Sequence, residues 1–141
     1  MILKTKLIRA GSRLTIRALA TPGPPGKKDP CETLSFCKFI QKTDPPELSK
    51  LTRLWTDMAN KGVPKNDTKF KSLSGTGGLY EIKTTRLRVL CFWDQGSLIV
   101  CTHAFVKTTA KTPKADIEKA SKLRSSYFEA KQAHSLIHDH T

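Results

Sequence analysis

The stretch LYEIKTTRLRVLCFWDQGSLIVCTHAFV, residues 79–106, decides the fold. It is dense in Leu, Ile, Val, Tyr, Phe and Trp, and short apolar runs bounded by turn residues read as strands. The spacing predicts three strands, at about residues 79–84, 86–93 and 97–106. Asp94, Gln95 and Gly96 separate the last two as a tight hairpin turn. A short turn around Thr84 and Thr85 joins the first two, so the three strands make an antiparallel meander.

Upstream, residues 62–78 read as a basic loop ending in Gly75-Thr76-Gly77-Gly78. The spacing G-x-x-x-x-G-K-[ST] is absent, which excludes a nucleotide P-loop, and the glycines ease a tight entry into the next strand. Before this loop, Leu48, Leu51, Leu54, Trp55 and Met58 form a stripe of helical period over residues 46–61, ended by Gly62. A shorter helix is expected over residues 31–42, with Phe36, Phe39 and Ile40 on one side, broken by Pro45 and Pro46. Two such helices in succession form a helical hairpin. Residues 21–30 hold four of the eight prolines and read as a loop. Residues 13–20 alternate apolar and polar side chains like a half-buried strand. The first twenty residues contain no acid, a composition shared with mitochondrial transit peptides, but the alternation favours the strand.

Downstream, Thr112-Pro113 signals a helix start, with Thr112 as N-cap and Pro113 at the first helical position. Ile117, Ala120, Leu123 and Tyr127 share one face of that helix, which should run to about residue 130. His134 and His138 have the i,i+4 spacing of a helical metal pair, with His140 following, but the carboxylate or Cys partners of a metal site are missing. The expected organisation is a flexible basic extension at 1–11, one domain at 12–130 and a flexible His-containing tail at 131–141. The fold class is α+β: a small antiparallel sheet with an N-terminal helical hairpin packed on one face and a C-terminal helix. The other sheet face would then be open, carrying Lys83, Arg86, Arg88 and His103.

Charge narrows the function classes. The 141 residues include 25 Lys+Arg against 12 Asp+Glu, a formal net charge of +13. Residues 1–30, 61–71 and 107–124 carry most of the excess. A polyanionic partner is expected, with nucleic acid ahead of membrane. No run approaches the roughly 18 apolar residues of a transmembrane helix. The hydrophobic fraction of 38% suffices for one modest core. Lys4, Lys6 and Arg9 interrupt any secretory apolar region. Cys31, Cys37, Cys91 and Cys101 form no C-x-x-C pair, which leaves reduced, mostly buried thiols in a cytoplasmic protein.

Residues 79–124 resemble the RelE/HigB superfamily of toxins from toxin–antitoxin pairs, and within it the phage-derived HigB-like subgroup. The resemblance rests on Leu79, Glu81, Arg88, Asp94, Gly96, His103, Phe105 and Lys107, and on the run Thr109, Lys111, Thr112, Pro113, Asp116, Ile117 and Ala120. It is weaker over 31–78 and faint over 1–30. It implies a RelE-like sheet and a toxin that acts as an endoribonuclease, an mRNA interferase cleaving mRNA on the ribosome and inhibiting translation. It also implies a helix-turn-helix antitoxin as partner, no cofactor and no metal.

The residues are compatible with that chemistry. Metal-independent RNA cleavage needs a base for the 2′-hydroxyl, an acid for the leaving 5′-oxygen and cations for the phosphorane. Lys83 matches a strand lysine active in RelE-type members and needs a lowered pKa to serve as base. Arg88 matches the arginine that holds the scissile phosphate. Lys107 and Lys111 flank the last strand and the final helix. His103 is a second candidate base, or else a hydrogen-bonded core histidine. Tyr80 is a candidate for base stacking, and Arg86, Lys114, Lys69 and Lys71 for RNA phosphates. Glu81 reads as a small surface ion pair with Lys83 or Arg88. The catalytic tyrosine of RelE-type final helices has no match, because Tyr127 sits too far along. A ParE-like gyrase poison and a non-enzymatic nucleic-acid-binding protein are the alternatives.

Overall fold

The hairpin turn at Gln95 and Gly96, both in the left-handed region (φ 45° and 61°), organises a sheet of seven strands. The structure, a computed structural model, describes residues 2–139; Met1, His140 and Thr141 lie outside them. The elements run β1 (Leu3–Ala10), β2 (Thr15–Ala20), α1 (Glu32–Thr43), α2 (Pro45–Lys61), β3 (Phe70–Ser72), β4 (Leu79–Lys83), β5 (Leu87–Asp94), β6 (Leu98–Val106), α3 (Lys114–Gln132) and β7 (Leu136–Asp139). The strand order across the sheet is β3-β4-β5-β6-β2-β1-β7. The meander β4-β5-β6 and the strand at β2 stand as the sequence predicts. The sheet is larger than expected and mixed: β2 pairs parallel with β6, and β1 pairs parallel with β7.

Alternation along the strands divides the core in two. Ile16, Ala18, Val89, Cys91, Ile99 and Cys101 face the helical hairpin and meet Ile40, Leu51, Leu54, Trp55 and Met58. The α2 stripe is therefore core, as its period requires. Leu3, Leu19, Leu79, Leu90, Phe92 and Val100 face the opposite side and pack on Ala120, Tyr127 and Ala130 of α3. The second face is thus covered by α3 rather than open, because α3 presents an apolar stripe that must also be buried. Phe39 differs from its expected place: it is exposed, while Ile40 is buried in the core and Phe36 packs partly against it.

A bulge sets which side chains share a face at the far end of the sheet. Leu90 pairs with His103 but Cys91 pairs with Cys101, so Thr102 is the extra residue on β6. Its hydroxyl donates to the Leu90 carbonyl at 3.2 Å. One added residue flips a strand's alternation. Without it, His103 would lie on the same face as Cys101; with it, His103 and Phe105 turn to the α3 side, with Arg88 and Glu81.

Residues 3–10 and 136–139 are strands where loose segments were expected over 1–11 and 131–141; Met1, His140 and Thr141 of those segments lie outside the described residues. In β1, Leu3 and Thr5 are buried (1% and 0% exposed), and the strand pairs with β2 on one side and β7 on the other. β7 exists because α3 ends in a tight reversal. His134, at φ 56°, donates its N–H to the Lys131 carbonyl, and Ser135 donates to the Ala130 carbonyl, the paired bonds of a Schellman cap. Thr112 is not the α3 N-cap, a role that falls to Pro113, and the Thr112 hydroxyl is engaged elsewhere. The basic loop of 62–78 contains the short strand β3.

Candidate functional site

The end of the sheet beside the β4–β5 turn concentrates positive charge. Lys83, the last residue of β4, is in register with Arg88 on β5, and Arg88 with Phe105 on β6. Lys107 follows directly after β6. These side chains line a cleft of about 540 Å³ together with Lys71, Lys111 and Glu81. The cleft is closed by the loop from 107 to 113 and by Ile117 of α3. Five basic side chains thus converge around a single carboxylate.

Arg88 is 8% exposed and held from three sides. Its Nη1 donates to the carbonyls of Thr84 (2.6 Å) and Leu87 (2.9 Å), and its Nε lies 3.7 Å from Glu81 Oε1. Glu81, 4% exposed, accepts from the Thr112 hydroxyl through Oε2 at 2.6 Å. A buried carboxylate and a buried guanidinium compensate one another only when hydrogen-bonded in this way. Glu81 is therefore part of the site's frame rather than the surface pairing expected. Its alternation with Leu79 and Lys83 was the available signal, since residues two apart share a face.

The β4–β5 turn is clamped from α2. Glu47, buried, accepts from the Thr84 hydroxyl (2.7 Å) and the Arg86 N–H (2.5 Å) on one oxygen, and pairs with Lys50 (3.1 Å) on the other. Burial pushes the Glu47 carboxyl up, but these donors outweigh it and leave it below the usual carboxylate range. Lys83 is shifted down from the ordinary lysine value. Partial burial contributes most, then repulsion from Arg88, opposed by Glu81, with smaller repulsions from Lys71 and Lys107.

A second cleft of about 550 Å³ lies on the α2 side of the same residues. Lys83, Arg88 and Lys107 line both clefts, and Lys69 joins them in the second with Lys50 and Arg53 of α2. Nothing in the sequence alone links α2 to β4, so no local signal marks these two helix residues.

The remaining sequence candidates lie apart. His103 is 3% exposed and lines neither cleft. Its Nε2 lies 3.0 Å from Asp116 in the first turn of α3, and its Nδ1 lies 3.1 Å from the Thr102 hydroxyl, with the tautomer setting which atom donates. This bond ties the start of α3 to the sheet. Tyr80 points to the hairpin side, where it stacks on Phe70 at 5.2 Å. Arg86 pairs with Asp44 at 2.9 Å, outside both clefts. Lys114 opens α3, exposed, and lines neither cleft. Tyr127 is wholly buried and donates to Asp94 at 2.6 Å, beside Lys131 at 2.7 Å. His134 and His138 share no helix, since the first follows α3 and the second lies on β7. Among the described residues, no group of three His, Cys, Asp or Glu side chains could hold a metal ion, and no helix is long and apolar enough to cross a membrane.

Chemically, the cleft can bind a phosphodiester, neutralise charge growing on it and offer a lysine amine of lowered proton affinity. No curated protein matches the chain. A family model described as phage-derived protein Gp49-like (DUF891) matches residues 38–125, more than half of the chain. That family is associated with the toxins of toxin–antitoxin pairs, and the association implies an antitoxin partner. The match takes in the second half of α1, all of α2, the strands β3 to β6 and α3 as far as residue 125, and the chain belongs to this Gp49-like family of phage-derived proteins.

Proposed function

We propose that this chain is a HigB-like toxin of the RelE type that acts as a metal-independent endoribonuclease, cleaving mRNA on the ribosome. The observation that carries the reading is the cleft in which Lys83, Arg88, Lys107, Lys71 and Lys111 converge on one volume. The RNA 2′-oxygen attacks the adjacent phosphorus, the bond to the 5′-oxygen breaks, and a 2′,3′-cyclic phosphate and a 5′-hydroxyl result. Lys83, whose proton affinity is lowered by burial and neighbouring cations, takes the proton from the 2′-hydroxyl. Arg88, held by two carbonyls and Glu81, meets the non-bridging oxygens as charge grows on them. Lys107 or Lys111, at the cleft's edge, protonates the leaving oxygen. Lys71, and Lys69 from the adjacent cleft, hold flanking phosphates. His103 serves as a positioning residue through Asp116 rather than as base.

Mapping mRNA 5′ ends after brief induction tests the reading. New cuts on translated messages, lost in Lys83→Ala and Arg88→Ala, are expected. Intact messages with altered DNA supercoiling would instead mark a gyrase poison. Intact messages and unaltered supercoiling would leave a non-enzymatic binding protein.

A further inference from the structure

The two clefts share one wall. Lys83, Arg88 and Lys107 line both, and each cleft is of a size that takes a nucleotide-scale ligand. On the α2 side the additional groups are Lys50, Arg53 and Lys69, with Leu54 and Thr85 also in the lining. A phosphate seated on the shared wall therefore has room for chain in both directions. We propose that the α2-side cleft is a second RNA subsite, in which Lys50, Arg53 and Lys69 hold the strand on the far side of the phosphate gripped by Arg88.

The chemistry on that side suits a single strand of RNA. Leu54 is the one apolar residue among the described residues lining this cleft, so a base can lie against it while the backbone meets Lys50 and Arg53. Asp57, the one carboxylate of this cleft, is an acceptor for an exocyclic amino group of a base. Lys50 Nζ is held beside this cleft, 3.1 Å from Glu47 Oε2 and 3.4 Å from the Thr85 hydroxyl, and its side chain stays largely exposed.

This proposal rests on the nuclease reading for its choice of RNA, and its test separates the two. The probe is a short fluorescein-labelled single-stranded RNA made uncleavable by 2′-deoxy substitution, followed by anisotropy at several salt concentrations. The double variant Lys50→Ala/Arg53→Ala should lower the log–log salt slope by about 1.4, or 0.7 per lost phosphate contact, and weaken binding by about 5- to 10-fold. Lys27→Ala/Lys28→Ala, two exposed lysines in the 21–30 loop, is the charge-matched control and should change little. Equal weakening in both variants would mean diffuse attraction and overturn the subsite. Unchanged RNA binding in the first variant would also overturn it, including the case in which that variant instead loses binding to a co-expressed antitoxin. Cleavage is scored separately on translated messages, by mapping their 5′ ends after induction. An absence of cleavage by the parent chain, with the subsite effect intact, would sink the nuclease reading and leave the subsite standing.

Discussion

Lys83 carries a cost that its neighbours impose. Its proton affinity is lowered by partial burial and by Arg88, so in the folded chain the protonated amine is disfavoured relative to the unfolded one. The unfolded chain binds more protons between the folded pKa and the ordinary lysine value, and stability rises with pH across that window. Below it, the full penalty applies. Lys83→Met should therefore raise Tm at neutral pH while removing the proposed RNA cleavage, and a lowered Tm in thermal unfolding would contradict the burial argument. Lys83→Arg keeps the charge but not the capacity to lose a proton, so it should retain RNA binding and lose cleavage. At Thr112, the hydroxyl that the sequence assigns to helix capping is a donor to buried Glu81. Thr112→Val leaves that carboxylate short of a partner and should cost about 1–3 kcal/mol in denaturant unfolding. A neutral result would return Thr112 to a loop role.

Elements meet here through a few backbone contacts that tolerate no side chain. The turn between β1 and β2 lies on the C-terminal end of α2. Arg13 and Leu14 both donate N–H to the Ala59 carbonyl, and the Ser12 hydroxyl donates to the Asn60 carbonyl. Those carbonyls belong to the last turn of the helix, where no intrahelical donor remains. Gly11 permits the approach, since a Cβ there would stand 2.3 Å from the Ala59 oxygen. Gly11→Ala should destabilise the chain by about 1–3 kcal/mol and loosen β1, seen as faster amide exchange in residues 3–10. Unchanged exchange would show that the turn can lift off α2 without consequence. The α1–α2 hairpin and the β4–β6 meander are legible from local period alone. The 107–113 loop and the Thr102 bulge are not, because nothing in the residue types CTHAF marks an extra residue until Leu90 and Cys91 are placed beside it.

At the scale of the molecule, β1 and β7 extend one side of the sheet together. β7 lies against β1, Lys6 pairs with Asp139 at 2.9 Å, and Arg17 donates to the Asp139 carbonyl at 2.8 Å. Ending the chain after Ser135 would expose β1 as an edge strand, on which Leu7 is already 39% exposed. The truncated chain should unfold at lower denaturant and aggregate on concentration, measured by light scattering; a soluble, equally stable product would make β7 dispensable. The sequence by itself determined the three central strands, the α2 stripe, the basic character and the motif shared with toxin families. Periods of 2 and 3.6 residues and the chemistry of turns are local, and they can be read without knowing any partner. Tertiary structure alone decided three things: that 3–10 and 136–139 are strands, that α3 covers the second face, and that Lys71, Lys83, Arg88, Lys107 and Lys111 share one cleft while Tyr80, Arg86 and His103 do not. Each depends on a register or a pairing between residues far apart in the chain, and a shift of one residue reverses the face on which a strand's side chains fall.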